Sequence, residues 1–111
     1  MARKNSLVTA PPYEVQQALV RLGANLRTAR LRRNLTVAEA AAKIGTGPRA
    51  VQDAEKGKPG ASAAVYAALL WAFDLLGPFR DLADPSTDAT APDREPTRER
   101  ARASRRLSND F

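Results

Sequence analysis

Thr36-Val-Ala-Glu-Ala-Ala-Ala-Lys-Ile-Gly-Thr-Gly-Pro-Arg-Ala-Val-Gln-Asp-Ala-Glu-Lys-Gly-Lys58 is the stretch that decides the fold. Thr36 and Glu39 stand at capping-box spacing: the hydroxyl caps the first turn and the carboxylate reaches back to the cap's own N–H. This predicts a short helix from Val37 to Ile44, with Ala38, Ala41 and Ile44 facing inward. Gly45 ends it, because a residue without a Cβ enters the left-handed conformation without steric cost. Gly45-Thr46-Gly47 is then a tight turn. Pro48 suits the first position of a second helix, where its missing N–H is no loss. That helix runs to about Lys56, Gly57 stops it, and Val51 and Ala54 face inward.

The pattern continues on both sides. Upstream, Val15, Leu19, Leu22, Leu26 and Ala29 recur at spacings of 4, 3, 4 and 3. That is one face of an α-helix starting near Tyr13 and ending around Arg32–Asn34, with Asn34 suited to a left-handed stop. Arg21, Arg27 and Arg32 fall off this face. Downstream, Lys58-Pro59-Gly60 reads as a loop and Ser62 as the N-cap of a further helix carrying Val65, Tyr66, Leu69, Leu70, Ala72 and Phe73. Gly77-Pro78 is expected to break it. A last short helix runs from Phe79 to Ala83. The reading is all-α, with five short helices in a domain over 13–85. Residues 1–12 form a flexible N-terminal arm. Residues 86–111 form a disordered Arg-rich tail with little to bury.

Composition narrows the function. The chain has 111 residues, no Cys and no His, and a formal charge of +6. Disulfides, thiol chemistry, Cys/His zinc sites and histidine general bases are excluded. The turn 45–47 is too short for a phosphate-binding loop. An enzyme is not expected, nor a cofactor, a metal or a small-molecule substrate. Residues 1–85 hold 12 Lys/Arg against 7 Asp/Glu, a net of +5, and residues 86–111 hold 6 against 5, a net of +1. The excess therefore sits in the folded part, which suits a polyanionic partner. No run approaches the ~18 apolar residues of a membrane span, and the start has no apolar signal region. A cytoplasmic location and no membrane partner are expected.

Two short helices joined by a three-residue turn have helix-turn-helix spacing. The geometry lets the second helix put its N-terminal end into the major groove, where base edges carry a distinct donor and acceptor pattern. Leu22-Gly23, Arg30, Leu35-Thr36, Ala41, Ile44-Gly45 and Ala54-Glu55-Lys56-Gly57-Lys58 resemble the Cro/CI-type (XRE) helix-turn-helix family, over roughly residues 20–75. The resemblance implies a lambda-repressor-like fold. It implies a salt bridge between Arg30 and Glu55. It also implies base reading from Gly47, Pro48, Arg49 and Gln52. Arg49 suits guanine O6 and N7. Gln52 suits adenine, or is a solvated amide. Gly47 and Pro48 offer no side-chain hydrogen bond, and Val37 replaces the family's frequent glutamine, which shifts weight to DNA shape. Asp53 has an acceptor for cytosine but is repelled by phosphate, and is not counted among the contact residues. Phosphate grip is expected from Lys56, Lys58, Arg33 and Lys43, with Thr46 and the helix-end N–H groups.

Trp71, Phe73, Leu75, Leu76 and Phe79 are a dense apolar set with two readings: core, or an interface. In the second reading Trp71, Phe73 and Phe79 meet a second copy or a protein partner, and a two-fold dimer matches a palindromic operator. The string Leu22-Gly-x-Asn-Leu-x-x-Ala-Arg-Leu-Arg-Arg-Asn-Leu-Thr36, with Ser62-x-x-x-Tyr66, resembles the HipB-like antitoxins. That resemblance implies a bacterial DNA-binding antitoxin that represses its own operator as a homodimer and neutralises a HipA-like serine/threonine kinase toxin. It places the protein on the nucleoid when operator-bound. A stand-alone repressor and an adaptor without DNA binding are the alternatives. The tail's Arg94, Arg98, Arg100, Arg102, Arg105 and Arg106, then Leu107 and Phe111, suit partner binding, turnover or DNA contact, or form an inert extension.

Overall fold

A 20-residue helix from Tyr13 to Arg32 is the spine of the domain. The computed structural model describes residues 6–91, and no strand occurs among them. The α-helices are α1 (Ser6–Thr9), α2 (Tyr13–Arg32), α3 (Val37–Ile44), α4 (Pro48–Glu55), α5 (Ala63–Ala72) and α6 (Leu76–Arg80); a 3-10 turn follows at Pro85–Thr87. The described chain thus has six α-helices where five were expected. The additional one is α1, a single turn closed by the Ala10 N–H on the Ser6 carbonyl at 2.8 Å. It lies in the stretch read as a flexible arm. Residues 1–5 of that arm lie outside the described residues, as do 92–111 of the tail.

The local signals around the turn act through hydrogen bonds. Thr36 Oγ1 accepts from the Glu39 N–H at 3.0 Å, and Glu39 Oε1 accepts from the Thr36 N–H at 2.9 Å. Gly45 takes φ +79 and Asn34 takes φ +56, so both helix stops are left-handed. Gly47 is the N-cap of α4 and Pro48 its first residue.

The end of the domain differs from expectation. α5 stops at Ala72, well before Gly77. Phe73 is drawn into the core and Asp74 turns left-handed at φ +63. The Leu75 N–H then bonds back to the Leu70 carbonyl at 2.7 Å. Gly77-Pro78, expected to break a helix, lies in the first turn of α6, where proline needs no N–H partner. The helix expected at Phe79–Ala83 is therefore displaced to Leu76–Arg80, and Ala83 turns left-handed at φ +61.

The core is Leu26 and Ala29 of α2, Ala40 and Ala41 of α3, Val51 and Ala54 of α4, Tyr66 and Leu69 of α5, and Phe73. Phe73, Leu26, Leu69 and Val51 are its largest fully buried side chains; each contributes about 1.5–3 kcal/mol by leaving water. Ala38, expected inward, is exposed. The inward face of α3 is Val37, Ala40, Ala41 and Ile44, at i, i+3, i+4 and i+7.

α4 packs against α2, α3 and α5. Two glycines allow the closest approaches. A Cβ on Gly23 would collide with the carbonyl oxygens of Ala54 and Glu55. Gly57, at φ +69, would bring a Cβ to 2.5 Å from the Leu19 carbonyl oxygen and the Val20 backbone. The two contacts clamp both sides of the α4 C-terminus onto α2.

Candidate nucleic-acid interface

Because Val51 and Ala54 are buried, the positions of α4 opposite them are turned outward. Pro48, Arg49, Gln52 and Lys56 are exposed along one side, with Gly47 at its head. No side chain caps the first turn of α4; Pro48 has no N–H and the Ala50 N–H bonds to the Gly47 carbonyl at 3.2 Å, which leaves the Arg49 N–H for water or an anion. Lys43 is exposed on the last turn of α3, and Thr46 is half-buried in the turn. The Thr46 N–H is engaged with the Ala41 carbonyl at 2.9 Å.

Behind this face, Arg30 holds α4 in place. Arg30 Nε donates to Glu55 Oε2 at 2.6 Å and Nη2 to Glu55 Oε1 at 3.1 Å. Nη1 donates to the Leu35 carbonyl at 2.8 Å. One guanidinium thus joins α2, the α2–α3 connection and the end of α4. The pair is nearly sealed, with side chains 8% and 9% exposed. The bond to Glu55 raises the already high pKa of Arg30, against the opposing effect of burial.

Three expected contact residues have other partners. Lys58 Nζ lies 3.2 Å from Asp53 Oδ1, and Arg49 Nε lies 3.5 Å from the same oxygen. Lys58, with the charge of Arg49 behind it, holds the Asp53 carboxyl below its ordinary range. Arg33 donates to the Ala29 carbonyl at 2.8 Å and to the Phe73 carbonyl at 2.7 Å. Its guanidinium carbon also stands 5.4 Å from the centre of the Phe73 ring. Arg33 is thus a strut between the ends of α2 and α5, with two of its five N–H donors on carbonyls.

Tyr66 adds a support the sequence reading did not assign. Its hydroxyl donates to the Lys58 carbonyl at 3.2 Å, fixing the loop after α4. Burial first, and the nearby Asp53 charge second, push its pKa up.

The apolar set divides. Phe73 is 1% exposed and belongs to the core, which corrects its assignment to an interface. Trp71 is exposed, and Phe79 is partly buried in a groove of about 240 Å³ with Leu22, Leu70, Leu75, Pro78 and Leu82. Among the described residues no group of three or more His, Cys, Asp or Glu is placed to hold a metal. No helix among them is long and apolar enough to cross a membrane.

Residues 21–83, more than half of the chain, match the family model described as a helix-turn-helix domain. The chain matches no curated protein and no solved structure.

Proposed function

The chain belongs to the helix-turn-helix domain family, and from that premise we propose that it is an antitoxin and autorepressor that binds operator DNA as a homodimer. The observation that carries the DNA reading is the outward row of α4: Gly47, Pro48, Arg49, Gln52 and Lys56, braced from behind by Arg30 and Glu55. Arg49 meets guanine and Gln52 adenine. Lys43, Lys56 and the uncapped Arg49 N–H of α4 take phosphates. With few side chains able to read bases, groove shape carries much of the selectivity.

The dimer and the toxin rest on other features. The Trp71 side and the α2–α5–α6 groove are an apolar surface distinct from the α4 face. The HipB-like string at 22–36 supports a HipA-like serine/threonine kinase as the protein partner. The domain 13–85 carries DNA binding and dimerisation, and the protein works in the cytoplasm, on the nucleoid when operator-bound.

The test is purification of the tagged full chain from its native cell, with mass spectrometry of what accompanies it. DNA upstream of its own gene is then titrated at low salt. Stoichiometric recovery of a HipA-like kinase, with retardation of that DNA, is the expected result. DNA retention with no protein partner makes it a stand-alone repressor. An intact dimer that retains no DNA at low salt makes it an adaptor.

A further inference from the structure

The outward face of α4 holds one carboxylate among its cations, and it is the group to which two of those cations are tied. Asp53 follows Arg49 by one helical turn, and its Oδ1 meets Arg49 Nε at 3.5 Å and Lys58 Nζ at 3.2 Å. The Asp53 side chain is 27% exposed, whereas that of Arg49 is 81% exposed. The acid therefore sits low against the helix and the arginine projects beyond it. The Tyr66 hydroxyl fixes the Lys58 carbonyl from the core side, so the lysine end of this arrangement is anchored as well.

The direction of these contacts matters. A guanidinium presents five N–H donors in a rigid fork. The 3.5 Å approach at Nε is an ion pair without a hydrogen bond, on the side of the guanidinium away from its two terminal Nη groups; the Nη spacing fits the O6 and N7 acceptors of one guanine. A carboxylate on a DNA-facing surface repels phosphate, so Asp53 lowers affinity for the backbone. Lys58, held by Asp53, has its charge answered within the protein.

We propose that Asp53 is a positioning residue of the reading helix: it aims Arg49 end-on at a guanine and withholds Lys58 from phosphate, trading backbone affinity for base preference. The inference rests on the reading of α4 as the DNA-reading helix. It assigns Asp53 a role acting through Arg49, with no base of its own.

The test uses the full chain and a pool of random-sequence duplexes of one fixed length. Wild type should enrich guanine at one position of the selected sites. Asp53→Asn keeps the shape of the side chain and should reduce that enrichment by about two- to fivefold, the scale of an exposed ion pair. Arg49→Ala should lose the same enrichment, and the double variant should lose no more than Arg49→Ala alone. On a single arbitrary duplex, Asp53→Asn should bind more tightly than wild type. The slope of log K against log salt should steepen by about 0.9, one phosphate contact, as Lys58 is released. Lys58→Ala, which leaves the Arg49–Asp53 pair in place, should keep both the guanine enrichment and the wild-type slope. Guanine enrichment unchanged in Asp53→Asn, or a slope lowered by about 0.9 in Lys58→Ala, overturns the proposal. A wild-type chain that retains no duplex at low salt overturns the DNA reading itself and this inference with it, so the two failures are distinguishable.

Discussion

Arg30 and Glu55 meet side-on in two hydrogen bonds, Nε to Oε2 at 2.6 Å and Nη2 to Oε1 at 3.1 Å, across the seam between α2 and α4. The remaining terminal nitrogen is spent on the Leu35 carbonyl, so the guanidinium has a partner on each of its three nitrogens. Bidentate geometry and near-complete burial make this pair a rigid strut rather than a surface ion pair. Removing one partner strands a buried charge, which typically costs about 3–5 kcal/mol. Arg30→Ala and Glu55→Ala should each lower the unfolding free energy by that much, seen as a fall in the urea midpoint at unchanged m. Replacing both by apolar residues of similar volume should cost less than either single change. A double variant as unstable as the sum of the singles would contradict this account.

The glycines provide a graded test of the packing between α2 and α4. Gly45 is left-handed at φ +79 with nothing within 4 Å of an added Cβ, so only the backbone penalty applies to Gly45→Ala. That penalty is about 1–2 kcal/mol. Gly57 is left-handed at φ +69 and also sits 2.5 Å from the backbone of α2. Gly57→Ala should therefore cost upwards of about 3 kcal/mol. Gly23→Ala has no φ penalty and tests the collision alone, against backbone that cannot rotate away. Equal losses in Gly45→Ala and Gly57→Ala, measured by thermal melting, would mean that the helices do not approach this closely.

Acid should weaken the cap of α3. The Thr36 N–H first, then its hydroxyl, hold the Glu39 pKa below its ordinary value. A carboxylate depressed in the folded state stabilises the fold above its unfolded pKa, about 4.3, and that contribution is lost as pH falls through the lower folded value. The Asp53 pKa is depressed in the same direction, so the whole-protein curve should bend downward below about pH 4. Glu39→Gln isolates the cap. Its melting temperature should lie a constant amount below wild type from neutrality to about pH 5, and the gap should close in stronger acid. Thr36→Ala, which removes the acceptor for the Glu39 N–H, should cost about 0.5–2 kcal/mol.

What could be read from the sequence was what is decided locally. The stop of α2, both ends of α3 and the start of α4 follow from Asn34, the Thr36–Glu39 box, Gly45 and Pro48, each of which acts within a few residues of itself. The inward face of α3 was harder, because four of its eight residues are alanine and a small residue fits either face. The stop at Phe73–Asp74 had no glycine or proline to announce it; it depends on Phe73 finding the core, a tertiary event. At the candidate interface, the four-residue spacing of Arg49 and Asp53 is visible in the chain. Lys58 joining the same oxygen, and Arg33 reaching 40 residues along to the Phe73 carbonyl, depend on how the helices meet. The internal partners of the basic residues near α4 are therefore a tertiary property, not a local one.

The groove beside α6 is the place to test dimerisation. Leu82 is 67% exposed and Trp71 is 61% exposed, while Leu22, Leu70, Leu75 and Phe79 form an apolar channel beside Leu82. An exposed leucine next to an apolar groove gains on association, and a two-fold operation brings the same patch to itself. Leu82→Glu adds a charge at this face without touching the buried core. If the copies meet here, sedimentation should show Leu82→Glu as a monomer at concentrations where wild type is a dimer. The melting temperature of a truly monomeric domain should then no longer depend on concentration. Affinity for a two-half-site duplex should fall much more than affinity for a single half-site, because the second contact loses its linkage to the first. Trp71→Glu should behave alike if its ring shares the interface. A Leu82→Glu dimer as tight as wild type would place the two-fold axis elsewhere on the molecule.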